Sequence, residues 1–183
     1  TSITGIKPHF EQFDLLDKQK VDAFFKTHNI DGVIHFAASK AVGESVEKPL
    51  LYYHNNLGSL LNVLEAMIQT KQDHFIFSSS CTVYGQADEL PITEEAPIKP
   101  AESPYGNTKK IAEDILSDTV KAHNFNVIAL RYFNPIGAHP SAKIGELPIG
   151  VPQNLIPYVT QTAVGIRKEL SVFGDDYPTP DGT

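Results

Sequence analysis

Short apolar runs alternate along this chain with longer segments in which apolar residues recur at helical spacing. Residues 32–38, 74–77 and 126–131 are rich in β-branched and aromatic residues, a composition typical of strands that helices cover on both faces. Residues 45–70 and a segment beginning at Pro104 repeat apolar residues every three to four positions, which predicts amphipathic helices. The alternation of strands and helices therefore predicts an α/β fold with a parallel sheet.

Weaker patterns predict the elements nearer the two ends of the sequence. Residues 9–13 are predicted to form a short strand, and Val21, Phe24 and Phe25 give the following segment one apolar face at helical spacing. Glycines and prolines punctuate residues 135–152, which predicts a loop. A helix extending to about residue 167 and a short strand at 170–173 are expected after it.

The stretch from Ser78 to Lys109 carries the residues best suited to chemistry. Ser80 ends the apolar run that begins at His74, so it should lie at the carboxyl end of a strand, which faces the ligand crevice in an open α/β sheet. Tyr105 and Lys109 are four residues apart, so a helix would place both on one face. A hydroxyl at a strand end beside a Tyr/Lys pair predicts a proton-transfer site.

Electrostatics indicates why these residue types would act together. A free phenol has a pKa of about 10 and is a poor base at neutral pH. An ammonium group about 5 Å away would stabilise the phenolate by roughly 3 kcal/mol at an effective dielectric constant of about 20, so Lys109 is predicted to lower the pKa of Tyr105 by about two units. The alternative is a helix-start aromatic beside a solvated surface charge, because so short a motif matches by chance.

Composition and charge narrow the class of protein. The 183 residues are 41% hydrophobic and 20% charged, as in an ordinary globular protein with one buried core. The net charge of −7 argues against a general nucleic-acid binder, and no apolar run is long enough to span a bilayer. One cysteine excludes an internal disulfide, which suits a reducing compartment such as the cytoplasm. The seven histidines show no ligand-like pairing along the sequence, so no metal site is predicted.

Four longer blocks carry a more specific signal than the Tyr/Lys spacing alone. They are Phe77-Ser78-Ser79-Ser80, Thr82-Val83-Tyr84-Gly85, Ser103-Pro104-Tyr105-Gly106 with Lys109, and Arg131-Tyr132-Phe133-Asn134-Pro135. In this combination the chain resembles the extended short-chain dehydrogenase/reductase family over nearly its whole length. The resemblance implies a Rossmann-like, doubly wound parallel sheet, NAD as the cofactor and a UDP-sugar as the substrate. It also implies a homodimer for the full-length protein.

The same resemblance assigns roles to individual residues. The catalytic residues are expected to be Ser80, Tyr105 and Lys109. Those expected at the cofactor are Asp14, Leu15, Phe36, Ala37, Ala38, Lys40, Asn55, Ser78, Tyr105, Lys109 and Phe133. Those expected at the UDP-sugar are Ser80, Tyr105, Asn134, Asn154, Leu155, Val172 and Phe173.

Some of these positions also have ordinary structural explanations. Asp14 could cap the helix that follows it. Asn55 and Asn56 fall in the middle of a predicted helix, where asparagine is a weak former, and they could be a solvent-facing polar pair instead of a cofactor contact. His35, within a predicted strand, is expected to be a core histidine and not a catalyst.

The resemblance implies that the full-length protein interconverts UDP-glucose and UDP-galactose by NAD-dependent oxidation and re-reduction at the sugar C4. One alternative is another nucleotide-sugar enzyme of the family, a 4,6-dehydratase or a reductase. A dehydratase needs an additional acid/base pair, typically Asp-Glu just after the serine, where this chain has Cys81 and Thr82. The other alternative is a non-catalytic module that binds a nucleotide sugar or a protein.

The resemblance also implies that the chain is an internal fragment. No Gly-x-Gly-x-x-Gly turn occurs in the sequence, although that turn supplies backbone donors for the pyrophosphate of a dinucleotide. Residues 1–134 are then expected to form a partial dinucleotide-binding domain without its first βα unit, and residues 135–183 the beginning of a substrate-binding region. On that basis the isolated chain is expected to be inactive, free of NAD and marginally stable.

Overall fold

The computed structural model describes residues 3–152, 154–180 and 182. Within these ranges the elements are, in chain order, α1 (Lys18–Thr27), β1 (Val33–His35), α2 (Val42–Glu47), α3 (Pro49–Thr70), β2 (His74–Ser80), a 3₁₀ turn (Cys81–Tyr84), α4 (Pro104–Ala122), β3 (Asn126–Tyr132) and α5 (Leu155–Ala163). Contacts divide the chain into a larger unit, Lys7–Phe133, and a smaller unit, Asn134–Thr183 with Thr1–Ile6. The larger unit contains all three strands and helices α1 to α4.

A parallel sheet with the strand order β1-β2-β3 runs through the larger unit. Phe77 at the centre of β2 pairs with His35 of β1 and with Ala129 of β3. Because the strands are parallel, their carboxyl ends lie at one edge of the sheet, where ligands bind in open α/β folds. Ser80 lies at that edge, paired with Tyr132. The predicted parallel α/β sheet is confirmed.

The core of the larger unit is formed by α1, α3, β2 and α4, with Phe125 beside them. Helix α3 packs against both α1 and α4, and α4 also contacts β2, β3 and the 3₁₀ turn. Leu60 and Met67 of α3 are fully buried, so truncating either one to alanine should cost about 2–5 kcal/mol of stability. This packing fixes α4 against the carboxyl end of β2, which positions the site described below.

The start of α4 follows from capping residues in the sequence. Ser103 accepts a hydrogen bond from the backbone N–H of Gly106 at 3.1 Å, which satisfies a donor that the first helical turn leaves free. Pro104 occupies the first helical turn, where its missing N–H is not needed. Tyr105 therefore lies in the first turn of α4, as predicted. No helix in the described ranges is long and apolar enough to cross a membrane.

Several elements differ from the predictions based on periodicity. Residues 9–13 form no strand, and residues 170–173 are outside any regular element, because an isolated β-rich run needs a neighbouring strand to pair its backbone. The predicted helix over residues 45–70 is divided at Lys48, which ends α2 and precedes Pro49 of α3; the residue before a proline is disfavoured in helical conformation. Strand β3 is present, but Ile128 within it is 58% exposed.

Candidate active site

Ser80 is held rigidly at the carboxyl end of β2. Its Oγ accepts a hydrogen bond from the backbone N–H of Thr82 at 3.2 Å and another from Thr82 Oγ1 at 2.9 Å. The residue is almost fully buried and caps the 3₁₀ turn that follows. With both of these donors directed at its oxygen, Ser80 keeps its own hydroxyl hydrogen available for another acceptor.

Gly106 determines how closely α4 approaches this turn. A Cβ at position 106 would lie 3.2 Å from Thr82 Cβ and 3.4 Å from Ala101 Cβ, so a larger residue would push these segments apart. Glycine in a helix costs up to about 1 kcal/mol relative to alanine, and here that cost permits the close approach. Tyr105, next to Gly106, is therefore close enough to Ser80 for a hydrogen bond between the two side chains.

Lys109 is buried, with only 5% of its surface exposed. Its Nζ donates a hydrogen bond to the backbone carbonyl of Ser78 at 2.6 Å. The same atom lies 4.9 Å from the centre of the Phe77 ring and 5.8 Å from the centre of the Tyr105 ring. Burial lowers the pKa of Lys109 from 10.5 to about 8. The alternative of a solvated surface charge is therefore wrong, and Lys109 still carries its proton at neutral pH.

The pKa of Tyr105 contradicts the expectation from spacing alone. It is raised above its ordinary value, because burial disfavours the phenolate more than a hydrogen bond with Ser80 favours it. The sequence-based prediction assumed a solvated tyrosine beside a freely placed ammonium group. In the structure the phenol is partly buried, and the ammonium group is bound to the Ser78 carbonyl. Spacing gave the correct neighbours but omitted the desolvation of both groups.

His35 lies in β1, where it pairs with Phe77 of β2. Its ring stacks against the rings of Phe75 and Phe77, with centroid distances of 5.8 Å and 6.2 Å. Burial, and secondarily the charge of Lys109, lower the pKa of His35 to about 4. It is therefore neutral at physiological pH, and its predicted place in the core is confirmed.

Several of the residues predicted to contact the cofactor line one cavity of about 270 Å³. They are Asp14, Leu15, Ala37, Ala38 and Asn55, joined by Phe13, Ser39 and Ser59. The small side chains at positions 37 and 38 leave the strand end open to a ligand, and an amide and a carboxylate on its rim offer polar contacts. This donor set and shape fit part of a nucleotide.

The remaining residues predicted at the cofactor are placed differently. Phe36 lines an apolar cavity of about 450 Å³, which shares Phe13, Leu15 and Ala37 with the first one. Its ring stacks on Tyr132, with 6.4 Å between ring centroids. Lys40 and Phe133 are exposed, and Ser78 presents its carbonyl to Lys109. These residues are not all brought to one cavity.

Asp14 is not the cap of α1. Its carboxylate accepts a hydrogen bond from the backbone N–H of Leu16 at 2.9 Å, whereas Asp17 caps the helix through the N–H of Lys20 at 3.2 Å. The cap and the candidate nucleotide contact are therefore two different aspartates. Asp14 itself is exposed and lies on the rim of the smaller cavity.

Asn56 is a site residue that the sequence did not identify. Its Oδ1 accepts from the N–H of Ser39 at 2.8 Å, and its Nδ2 donates to the Ser39 carbonyl at 3.0 Å and to Thr108 Oγ1 at 3.2 Å. It thereby ties α3 to the segment after β1 and to α4. Asn55 donates to Ser39 Oγ at 3.1 Å, so the pair is not simply solvent-facing. Two adjacent asparagines in mid-helix were the available signal.

A second network, also not identified from the sequence, lies one turn further along α4. Glu113 accepts hydrogen bonds from Arg131 at 2.7–3.3 Å and from the hydroxyl of Ser79. Arg131 also donates to Tyr84 Oη at 3.1 Å and lies 5.0 Å from the centre of that ring. Ion pairing with Glu113 raises the pKa of Arg131. The network fixes β2, the 3₁₀ turn, α4 and β3 relative to one another.

Cys81 lies between Ser80 and Thr82, in the first position of the 3₁₀ turn. It is a free, partly buried thiol. Burial raises its pKa, although a hydrogen bond with Ser80 acts in the opposite direction. No carboxylate occupies the two positions directly after Ser80.

Of the residues predicted at the UDP-sugar, Ser80 and Tyr105 are in the larger unit and the other five are in the smaller unit. Asn154 precedes α5 and donates a hydrogen bond to Glu146 Oε1 at 2.8 Å, and Leu155 begins that helix. Asn134 is exposed and outside any regular element. Val172 and Phe173 are 73% and 99% exposed. Apart from the adjacent pair at the start of α5, the smaller unit does not gather these side chains into one cluster.

The parallel sheet, with a serine, a tyrosine and a buried lysine at its carboxyl edge, defines a Rossmann-type α/β protein of the dehydrogenase/reductase class. The chain belongs to the family described as GDP-mannose 4,6 dehydratase, whose model matches residues 3–183. This agrees with the resemblance to extended short-chain dehydrogenases inferred from the sequence blocks.

Individual relatives are more specific than the family model. The chain is 54% identical to the UDP-glucose 4-epimerase of Bacillus subtilis, covering 99% of this chain and 53% of that protein. It is 52% identical to the enzyme of the same name from Drosophila melanogaster, covering 99% and 52%. A crystal structure of UDP-glucose 4-epimerase from Bifidobacterium longum in complex with NAD⁺ and UDP matches with a TM-score of 0.94 and 51% identity, covering 100% of this chain and 55% of that one. The chain spans about half the length of the curated relatives it matches.

Proposed function

We propose that the protein containing this chain interconverts UDP-glucose and UDP-galactose with NAD as its cofactor. The observation that carries the proposal is the arrangement of Ser80, Tyr105 and buried Lys109 at the carboxyl end of the sheet. It occurs in a chain that is about half identical to UDP-glucose 4-epimerases. A buried lysine that makes one hydrogen bond to a carbonyl is unusual in a purely structural position, so it favours a catalytic role.

Tyr105 is the proton-transfer residue in this proposal. In its phenolate form it takes the proton from the sugar 4-hydroxyl group, and as the phenol it later returns that proton to the same oxygen. NAD, when bound, would supply the hydride acceptor for oxidation at C4 and the hydride donor for re-reduction on the opposite face, which would invert that centre. Ser80 binds the reacting oxygen by a hydrogen bond, for which its hydroxyl hydrogen is available.

Lys109 makes Tyr105 a better base than its buried phenol is alone. Its Nζ lies 5.8 Å from the centre of the Tyr105 ring, and a positive charge so close favours the phenolate over the neutral phenol. Since the pKa of Lys109 is about 8, the lysine is charged at pH 7. One of the three N–H donors of its ammonium group is bound to the Ser78 carbonyl. Another could donate a hydrogen bond to a cofactor hydroxyl.

The cofactor is proposed to lie along the strand ends of the larger unit. Asp14, Leu15, Ala37, Ala38 and Asn55 border its nucleotide, which the cavity they share supports. The other contacts proposed for the cofactor are Phe36, Lys40, Ser78 and Phe133. The UDP-sugar is proposed to contact Asn134, Asn154, Leu155, Val172 and Phe173.

Three further properties complete the proposal. By analogy with the whole enzymes that the chain resembles, the full-length protein is a homodimer and acts in the cytoplasm. Residues 1–134 and 135–183 are proposed to belong to a dinucleotide-binding domain and a substrate-binding region, respectively. The net charge of −7 leaves nucleic acid an unsuitable partner.

A dehydratase is the alternative that the family description raises. Elimination of water from a 4-keto sugar needs an acid/base pair beside the serine. Cys81 and Thr82 occupy those positions, and Thr82 is already bound to Ser80. Glu113, the nearest acidic residue on α4 beyond Lys109, is bound to Arg131. The side chains beside Ser80 therefore favour epimerisation over dehydration.

The decisive experiment compares substrates on the purified full-length protein that contains this chain. Incubation with UDP-galactose should give UDP-glucose, and the nucleotide released on denaturation should have the mass of NAD. GDP-mannose and UDP-glucose should give no accumulating 4-keto-6-deoxy product. Formation of such a product, or tight UDP-sugar binding with no turnover and no bound NAD, would overturn the proposal in favour of a dehydratase or a binding module.

A further inference from the structure

Three potential metal ligands converge at the carboxyl end of α1, outside the candidate active site. The Nε2 atom of His9 lies 3.1 Å from Glu11 Oε1, and the Nε2 atom of His28 lies 3.5 Å from the same oxygen. All three ligand atoms are within 4.8 Å of one another. His9 and Glu11 belong to the extended segment before α1, whereas His28 is the residue that ends the helix.

These separations match the geometry of a bound zinc ion. Zinc in proteins is four-coordinate and tetrahedral, with bonds of about 2.0–2.1 Å to histidine nitrogen and carboxylate oxygen. Neighbouring ligands of such a tetrahedron are then about 3.3–3.4 Å apart. The two measured nitrogen–oxygen distances, 3.1 and 3.5 Å, lie on either side of that value. The third separation, between the two histidine nitrogens, is within 4.8 Å, and rotation of the exposed His9 side chain can shorten it.

The hydrogen bonds of His28 determine which of its nitrogens is free. Its Nδ1 lies 3.0 Å from the Phe24 carbonyl and 3.0 Å from Thr27 Oγ1. The Thr27 hydroxyl hydrogen is directed to the carbonyls of Ala23 and Phe24, at 2.9 and 3.1 Å, so both neighbours of Nδ1 are acceptors. These two contacts suit a ring N–H at Nδ1, which leaves Nε2 directed at Glu11.

The His28 Nε2 atom faces the Glu11 carboxylate at 3.5 Å. Donation of the other ring N–H to a backbone carbonyl is the usual arrangement of a metal-ligating histidine, because it fixes the tautomer and the ring orientation.

The His28 ring is also held in place before any ion binds. It stacks on the Phe24 ring with 4.3 Å between centroids and lies 5.5 Å from the His9 ring. The side chain of His9 is 70% exposed, so it can rotate onto an ion without disturbing the core. His28 is therefore ordered, and His9 is free to adjust.

We infer that His9, Glu11 and His28 form a binding site for zinc or a similar divalent transition metal. Two imidazoles and one carboxylate suit zinc, cobalt or nickel, whereas magnesium and calcium prefer oxygen ligands. The fourth position is open to water. Since residues 9–13 have no strand pairing, the ion links this segment to the end of α1 and has a structural role.

The test measures zinc binding directly. The protein, without a histidine tag and after treatment with a chelator, is titrated with zinc chloride by calorimetry. One ion per chain should bind, and zinc but not magnesium should raise the melting temperature. Glu11→Gln and His28→Gln should each weaken binding by more than about 100-fold, since even residues that only orient metal ligands contribute 10–100-fold.

A matched control is His74→Gln. His74 is also an exposed histidine beside a carboxylate, that of Asp73, but belongs to no three-ligand group in the described residues. This variant should bind zinc as the original protein does. If His28→Gln does not fold by circular dichroism, His9→Gln replaces it, because that side chain is mostly exposed. Absence of saturable zinc binding, or stoichiometric binding that survives Glu11→Gln and His9→Gln, would show that the cluster is only a hydrogen-bonded charge pair.

Discussion

Lys109 and Arg131 are two cations at the carboxyl end of the sheet. Lys109 is buried and Arg131 is partly buried, but their partners and the directions of their pKa shifts differ. Arg131 meets the carboxylate of Glu113 through two nitrogens, at 2.7–3.3 Å, and donates to Tyr84 at 3.1 Å. Lys109 has one carbonyl at 2.6 Å and two aromatic rings. The pKa of Arg131 is raised, whereas that of Lys109 is lowered to about 8.

This difference distinguishes Arg131, a cation that stabilises the fold, from Lys109, a cation proposed to act in the reaction. A buried cation with a carboxylate and a planar two-point contact recovers much of its lost hydration. A buried ammonium group with one neutral acceptor does not, so it lowers the stability of the fold. Lys109 and Glu113 are one turn apart on α4, so the same helix supplies the poorly paired cation and the partner of the well-paired one. In the proposed mechanism, Lys109 stabilises the phenolate of Tyr105.

The largest expected effect comes from Tyr105→Phe. Removing the hydroxyl removes the proposed acid/base, so turnover of UDP-galactose should fall by roughly 10²–10⁴. Stability should change little, because the ring remains. Steady-state kinetics and urea unfolding measure the two quantities. Near-normal turnover in the folded variant would show that Tyr105 is not the base, and Lys109 would then lack its proposed purpose.

Breaking the Arg131 network should lower the stability of the fold more than it lowers turnover. Glu113→Gln keeps the side-chain shape but leaves the partly buried guanidinium without its carboxylate. Loss of one partner of a buried pair costs about 3–5 kcal/mol, and the 22% exposure of the Arg131 side chain reduces this to about 2–3 kcal/mol. The urea midpoint should fall accordingly. An unchanged midpoint would contradict the view that Arg131 is a structural cation.

Lys109→Met should have the opposite effect on stability. The difference between a pKa of 10.5 and one of about 8 corresponds to about 3 kcal/mol at 1.36 kcal/mol per pKa unit. The variant loses the hydrogen bond to Ser78, so we expect a net gain of about 1–3 kcal/mol at pH 7, together with loss of turnover. Urea unfolding at pH 7 measures the gain. A clear loss of stability would show that Lys109 is a well-satisfied group.

The pH dependence of that gain sharpens the same test. Because the pKa of Lys109 is lower in the folded chain, the unfolded chain holds more protons between pH 8 and 10.5, so stability rises with pH across this window. The disadvantage of the original protein relative to Lys109→Met is complete below pH 8 and disappears as pH approaches 10.5. Urea midpoints of both proteins, measured from pH 7 to 10, should therefore converge. Parallel curves would contradict the lowered pKa.

The smallest expected effect is that of Tyr84→Phe, which is also the control for Tyr105→Phe. The hydroxyl of Tyr84 accepts one hydrogen bond from Arg131, and its loss should cost about 1–2 kcal/mol. The ring contact with the guanidinium remains, and turnover should stay within a few-fold of normal. A catalytic defect as large as that of Tyr105→Phe would mean that the Arg131 network contributes to catalysis.

Local sequence was sufficient to predict the main elements and to select the proposed reacting groups. Ser80, Tyr105 and Lys109 were selected because strand ends and helical spacing are short-range properties, and the longer sequence blocks identified the family. The parallel sheet followed from the alternation of apolar runs. Positions 9–13 and 170–173 were wrongly predicted as strands, since their composition is β-rich but nothing in the described residues pairs with them.

Long-range partners could not be predicted. Asn56 acts on Ser39 and Thr108, which are 17 and 52 residues away, and Glu113 meets Arg131 across α4 and β3. The burial of Lys109, and with it both pKa shifts, depends on how closely α4 approaches β2. His9 and His28 were considered unpaired because α1 separates them in sequence and brings them together in space.

Cys81 shows how the same desolvation that tunes Lys109 protects a neighbouring atom. Thiolates, and not thiols, react with peroxides, alkylating agents and other thiols. Because burial raises the pKa of Cys81, little thiolate is present at neutral pH, although the residue is next to Ser80. The Cys81 thiol itself is therefore expected to react slowly in the folded protein. Iodoacetamide should label Cys81 far more slowly in the folded protein than in the unfolded chain.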